Sequence, residues 1–435
     1  MSVSGTGFGP GEVVSISLLG TVLGQATSGA DGSVPPTEVT IPTTAGFGPT
    51  ALVATGATSG AAAAAGIDVT NNWPQLGGGP AHTGFEPEDQ VLTNTVDPGQ
   101  NILLDPAWHF SAGAALTPPT VVDQVVYVGD QTGTLHAVRA RDGTQLWTWH
   151  TPSGAAITSA PAVDSAAGLA LVGAGDGTLY AVFTSGPSAG TLAWSASLGA
   201  GNVLPPVFAG TTVYASSASG QVAALLVSTG SSVWSATVTG GVEAAPALDV
   251  AGQVLVVPGS GGITALNAAT GGSLWSFAVP APTSPMLNAG VVYLGSSNHD
   301  VYAVSESIGQ QIWSTTTGGA IQDTPALSEG PTGSVTGLYV ASADHSLYFL
   351  SPATGAVLTR PGLGKSAHGL AVAGNVILAA TTGLVEGVRN WAEVVWSYGT
   401  SDGVLRPPAV VNGTCYVTGQ KGTLWAFTPY GEPPL

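Results

Sequence analysis

The chain has 435 residues, well beyond the size at which one hydrophobic core stops growing, so it holds several domains or one large repeat architecture. Charged residues are only 7 % of it, while 63 glycines and 31 prolines supply turn formers for many short strands. A formal charge of -18, from 7 basic against 25 acidic residues, leaves no cationic patch for nucleic acid or an anionic membrane surface.

The single cysteine, Cys415, excludes an internal disulfide, a multi-cysteine zinc site and a C-x-x-C-H haem attachment. The longest apolar stretch, Ala61 to Ile67, falls far short of the roughly 20 residues that span a bilayer, so no membrane insertion is expected. Met1 to Gly5 shows neither a basic nor an apolar leader region, which reads as a cytoplasmic protein or as a numbering that starts after a leader.

Residues 1–70 alternate apolar and polar positions at Val14, Ile16, Leu18 and again at Val39, Ile41, with Gly-Pro, Asp-Gly and Pro-Pro turns between, and read as a β-sandwich. The run Gly5-Thr6-Gly7-Phe8-Gly9-Pro10-Gly11-Glu12, followed by Ala30-Asp31-Gly32-Ser33, resembles the Ig-like modules of bacterial surface proteins. The resemblance implies a first strand ahead of the Gly-x-Gly-Phe turn. Only Val3 and Ser4 stand there, so the module reads as short of its first strand.

From residue 71 the chain repeats. Four segments fit A-x5-G-x3-W without a gap: Ala137, Gly143, Trp147; Ala224, Gly230, Trp234; Ala265, Gly271, Trp275; and Ala303, Gly309, Trp313. Ala181, Gly190 and Trp194 form a fifth with a longer loop, Trp396 closes a shorter one, and Phe349, Gly355, Thr359 keeps only the glycine. Ahead of each copy a proline or its equivalent opens an apolar stretch, then a strand, a glycine-centred turn and another strand. Four short strands at a period near 40 residues predict a propeller blade. Units start near Pro119, Pro161, Pro206, Pro246, Pro285, Pro325, His368 and Pro408. The last lacks a closing strand, whereas Ala107-Trp108-His109-Phe110 is a closing strand with no unit before it. Because an open ring leaves two unpaired sheet edges, residues near 104 to 110 are expected to complete the eighth blade.

These units, with the lead-in segment Trp73-Pro74-Gln75-Leu76-Gly77-Gly78-Gly79-Pro80-Ala81-His82-Thr83-Gly84, resemble the PQQ-like β-propeller repeat family over about residues 72 to 430. The resemblance implies an all-β, eight-bladed propeller over residues 71–435 in which Trp108, Trp147, Trp194, Trp234, Trp275, Trp313 and Trp396 dock blades together. The blade with Thr359 would lack this clamp. The family holds both quinone-dependent dehydrogenases and outer-membrane assembly scaffolds, and fold alone does not choose between them. The dehydrogenases use a disulfide of adjacent cysteines and a calcium held by carboxylate and amide oxygens, and Cys415 alone cannot supply the first.

No catalytic, cofactor-binding or metal-binding residue, and no cofactor, is therefore assigned. Glu243 and Asp323 stand near blade entrances and could face the ring axis. His82, with Trp73, Thr83 and Gly84, belongs to the lead-in motif and is expected to pin it by a hydrogen bond. His299 and His345, beside Asp300 and Asp344, replace turn glycines such as Gly133, Gly177 and Gly220, and read as tight hairpins. His109, His136 and His150 follow no pattern, Cys415 sits in an apolar strand, Asp164 and Asp249 read as turn formers, and Asn412-Gly413-Thr414 is a weak glycosylation match at a hairpin.

A surface poor in flexible Lys and Arg side chains loses little entropy on contact. The expected function is therefore a non-catalytic extracellular or cell-surface scaffold for protein partners. It would be a subunit of a surface assembly or filament linked by β-strand addition, with self-association through the N-terminal module. The alternatives are a PQQ- and calcium-dependent dehydrogenase and a carbohydrate- or peptide-binding propeller.

Overall fold

The computed structural model describes residues 2–18, 20–39, 48–69, 72–86, 104–329, 335–373, 376–389, 393–429, 431 and 434. Contacts divide the chain into two compact units, Met1–Asn71 with Leu435, and Asn72–Pro434.

The smaller unit is a two-sheet sandwich. One sheet has the strand order Thr21–Thr27, Val13–Leu18, Gly48–Gly56, Ala62–Val69, and the other pairs Ser2–Gly5 with Val34–Glu38. Val14, Ile16 and Leu18 point inward at period two and meet Phe8, Val34, Val39 and Leu52 in the core. Ahead of the Gly-x-Gly-Phe turn Ser2–Gly5 forms a short strand on Val34–Glu38, with Val3 opposite Thr37. Glu12 is buried, and its carboxylate accepts hydrogen bonds from Gly9 N, from Thr58 N at 2.9 Å, and from Ser59 N and Oγ at 2.8 and 2.6 Å. These bonds, the Ser59 hydroxyl foremost, hold its pKa down to about 2.

The larger unit is a propeller. Its described residues form eight four-stranded sheets, seven of them wholly antiparallel; in the remaining one, that of blade 7, the lead-in strand Phe85–Glu86 is itself the fourth strand and runs parallel to its neighbour. Blade 1 runs Thr120–Val122, Val125–Gly129, Thr134–Arg139, Gln145–His150, from the axis outward. Its first three strands are almost wholly buried because neighbouring blades cover both faces, so they read as continuous apolar runs. The outermost strand alternates in exposure, since only part of it meets a neighbour. Blades 2 to 6 repeat this pattern from Ala162–Asp164, Val207–Ala209, Ala247–Asp249, Met286–Asn288 and Ala326–Glu329.

Blade 7 departs from it. Val376–Arg389 is one continuous strand that pairs first with Ala367–Ala373 and then with Glu393–Val404, bending at Gly383, whose φ of 77° is left-handed. Phe85–Glu86 runs parallel to its inner strand.

Blade 8 is Ala409–Val411, Thr414–Thr418 and Thr423–Pro429, closed by Leu104–Ser111. Trp108 stands opposite Ala426 and His109 opposite Trp425, so the ring closes with a strand from ahead of blade 1. That circle removes both free edges at the seam.

Candidate functional site

The lead-in segment lies across the propeller axis and is tied to the innermost strand of one blade after another. Trp73 exchanges two backbone bonds with Val121 of blade 1, and the Pro74 carbonyl accepts from Val163 N of blade 2 at 2.7 Å. In blade 3 a side chain takes over: Phe208 N donates to Gln75 Oε1 at 2.9 Å, and Gln75 Nε2 donates back to the Phe208 carbonyl at 3.4 Å. Pro80, Ala81, Thr83 and Gly84 then present their carbonyls to Leu248, Leu287, Leu327 and Val372 N of blades 4 to 7, at 2.8 to 3.0 Å. The inner strands of blades 1 to 7 each aim an N–H at the axis, and a buried N–H without an acceptor is costly, so the segment satisfies what the ring itself cannot. Its glycines allow the close curvature: a Cβ on Gly77, at φ 67°, would lie 2.8 Å from His82 Cα.

His82 is fully buried on the segment at φ 55°. Its ring bonds the Pro285 carbonyl, Nδ1 has no protein partner, and burial pushes its pKa down to about 4, so the imidazole is neutral. Gln75 is as buried as His82, and Gln75→Ala would leave two backbone groups of Phe208 unpaired. A loss of about 1–3 kcal/mol is expected in denaturant unfolding, with Gln75→Glu no better because it cannot donate to the carbonyl.

Above this floor opens an axial funnel of two adjoining cavities. The main one, about 470 Å³, is walled by the blade entrances: Pro118, Glu243, Pro282, Ile321, Asp323 and Pro407 among others, with Trp73, Leu76 and His82 below. The second, about 340 Å³, shares Pro118, Gln322, Asp323 and Pro407 and adds Gln131, Thr158, His368 and Arg406. Both Glu243 and Asp323 thus face the axis. Burial pushes the Asp323 carboxyl up to about 7, against the opposing pull of Arg406. Burial, helped by Arg406, lowers the pKa of His368, whose Nε2 lies 3.0 Å from Thr382 Oγ1.

The tryptophans form a girdle outside the axis. Indole Nε1 donates to a backbone carbonyl of the next blade from Trp108 (Ala140), Trp194 (Val227), Trp234 (Ala268), Trp275 (Glu306) and Trp313 (Pro352), at 2.6 to 2.9 Å. Each ring lies on the glycine of that next blade: Trp108 on Gly143, Trp147 on Gly190, Trp194 on Gly230, Trp234 on Gly271, Trp275 on Gly309 and Trp313 on Gly355. The glycine of a repeat motif therefore receives the tryptophan of the preceding one, while the motif's own alanine stands opposite its own tryptophan in the ladder, as Ala137 does to Trp147. Trp396 instead pairs opposite Gly387 and meets Phe427 edge-on at 5.7 Å. In blade 6 the bulk has crossed the ladder. Thr359 stands opposite Phe349, and Phe349 stacks on Tyr339 at 5.0 Å.

Other singled-out residues are locally committed. His299 and His345 hold left-handed turn positions at φ 76° and 64°, with Asp300 accepting from Thr316 and Asp344 from Tyr348. His136 Nε2 meets Asp130 at 3.1 Å, His150 Nδ1 meets Thr134 at 3.0 Å, and His109 packs on Trp425. Asp164 and Asp249 cap their own hairpins through Ala167 N and through Ala251 and Gly252 N. Asn412 and Gly413 form a left-handed turn at φ 50° and 75°. Cys415 is buried, which pushes its thiol pKa far up. Arg406, Gln322 and Gln75 were not singled out by sequence, and only the run Arg406-Pro407-Pro408 at a blade entrance hinted at the first.

A family model described as outer membrane protein assembly factor BamB matches residues 50–188, 184–329, 260–358 and 343–430. The chain belongs to that family. No curated protein matches this BamB-type chain. Among solved structures, BamB from Moraxella catarrhalis is 18 % identical with a TM-score of 0.62, covering 75 % of this chain and 100 % of its own. The quinohemoprotein alcohol dehydrogenase from Comamonas testosteroni is 15 % identical with a TM-score of 0.65, covering 82 % and 80 %. A computationally designed protein, Ika8, is 16 % identical with a TM-score of 0.62, covering 73 % and 97 %. At such identities the likeness is one of fold.

The residues of the funnel do not fit the quinone and calcium of the dehydrogenases. Cys415 has no adjacent cysteine and lies buried in a strand, and the face of Trp73 is covered by Gly78. Among the described residues no three His, Cys, Asp or Glu side chains gather where they could hold a metal ion.

Proposed function

We propose that this BamB-type propeller is a non-catalytic scaffold acting outside the cytoplasm at the cell surface, with proteins as partners, further copies of itself included. The observation that carries the reading is a cleft of about 210 Å³ in the N-terminal sandwich, lined by Val3, Phe8, Ile16, Leu52, Ala63 and Ala65 among others. Val34–Glu38 lies beside Thr21–Thr27, so the two-stranded sheet sits toward one side of the four-stranded one. Ala63 and Ala65 stand opposite Ala54 and Leu52 and share their inward face, yet both alanines are exposed. Among the described residues, Ser2–Gly5 and Ala62–Val69 each pair on one edge only. An apolar cleft between two open strand edges suits an added strand, whose backbone would extend the Ser2–Gly5 ladder and whose small side chains would cover the alanines.

The propeller rim supports the same reading. Leu146, Leu192, Val233, Leu274, Ile312 and Leu358, one on the outermost strand of each of blades 1 to 6, are exposed. Sedimentation velocity of the full chain over a rising concentration series tests the proposal. Concentration-dependent association is expected, and Ala63→Asp should abolish it while leaving the propeller's melting temperature unchanged. A chain that stays monomeric throughout, or an Ala63→Asp variant that associates equally well, overturns self-association. Dye-linked alcohol oxidation on adding PQQ and calcium overturns the non-catalytic assignment.

A further inference from the structure

The ion pairs among the described residues use His136, Arg139 and Arg360 and leave Arg406 out. Its Nε is buried without a hydrogen-bond partner, although the side chain lines the second axial cavity. A guanidinium nitrogen buried without an acceptor, beside an Asp323 carboxyl that burial keeps largely neutral below about pH 7, is a costly arrangement unless an anion completes it. Around it the lobe is lined by the uncharged polar residues Gln131, Gln322 and Thr158, by Asp323 and His368, and by the partly exposed prolines Pro118 and Pro407. One planar fork with neutral donors and an apolar wall matches a planar monoanion with an apolar body, rather than a multiply charged oxyanion.

We propose that this lobe of the funnel binds a small organic carboxylate, its acid group on Arg406 and its body against Pro118 and Pro407. The site goes beyond the scaffold reading and does not depend on it. The titratable and charged groups facing the funnel are Asp323, His368 and Arg406 in this lobe, and Glu243 and His82 in the main one. His368 and His82, both with lowered pKa, stay neutral near pH 7, and Glu243 is exposed on the far wall. Asp323 is the group that changes: its carboxyl is held up to about 7, so it is largely neutral below that pH and charged above it, where it competes with the ligand for Arg406.

Isothermal titration of the full chain with benzoate, with benzamide as the neutral isostere and inorganic phosphate as the alternative anion, tests the assignment. Benzoate is expected to bind and benzamide to bind at least tenfold more weakly. Arg406→Gln should lose benzoate binding at an unchanged melting temperature, with Arg406→Lys keeping part of it. Affinity in the parent chain should fall as pH rises from 6 to 8, and Asp323→Asn should bind more tightly at pH 8 and show no such fall. Absent benzoate binding, equal binding of benzamide, tighter binding of phosphate, or an Arg406→Gln variant that binds normally would each overturn the proposal. Because the readout is ligand heat, its failure leaves the sedimentation result untouched.

Discussion

Trp234→Ala is expected to lower the stability of the propeller by about 3–5 kcal/mol, read as the shift of the denaturant midpoint at unchanged slope. The ring fills the space between blades 3 and 4: it lies on Gly271, approaches Tyr214 at 6.0 Å between centroids, and its Nε1 donates to the Ala268 carbonyl at 2.8 Å. Trp234→Phe keeps part of the volume and loses the bond, so a smaller loss of about 1–3 kcal/mol follows. Gly271→Val attacks the same contact from the other side. A Cβ there would sit 2.5 Å from Trp234 Cε3, on a backbone at φ 73° that a branched side chain resists, and about 2–4 kcal/mol is expected. The double variant should cost less than the sum, because removing the indole removes the clash. Full additivity, or a loss under about 1 kcal/mol for Trp234→Ala, would show that the girdle contributes little.

Truncation after Gly422 should have the larger effect. It removes Thr423–Pro429, the strand that joins Thr414–Thr418 to Leu104–Ser111, together with the fully buried Leu424, Ala426 and Phe427. Two strand edges and the apolar face of blade 8 then meet water at once, a loss comparable to the about 5–15 kcal/mol that holds a typical domain folded. The truncated chain is expected to lose its cooperative unfolding transition and to sediment as aggregates. A peptide of residues 423–435 added during refolding should restore monomeric, cooperatively unfolding material, since the ring asks only for a strand and not for a covalent joint. A truncated chain that unfolds like the parent would mean that the ring closes elsewhere.

Blade number and ring closure were legible in the sequence because each blade repeats one local pattern, and a missing outer strand at one end matches a surplus one at the other. The docking partners were less so. Alanine, glycine and tryptophan read as one motif, yet Gly271 serves Trp234 of the previous blade, and in blade 6 the aromatic ring had moved from the Thr359 position to Phe349. A linear pattern records what recurs and not which copies touch. Ser2–Gly5 carries too little alternation to register as a strand in the sequence, while a ladder to Val34–Glu38 is enough to order it.

The lead-in segment marks the divide most clearly. Trp73 to Gly84 has no periodicity of its own, and its composition of glycine and proline reads as a turn. Composition and repeat by themselves determined an all-β ring, its blade count and its closure, because those follow from local periodicity. Tertiary structure alone decided that seven inner strands share one axial segment as their hydrogen-bond acceptor, and that Asp323 and Arg406 from separate blade entrances line one cavity. Closing a ring brings distant loops to a common axis, and no local property of those loops records that they will meet.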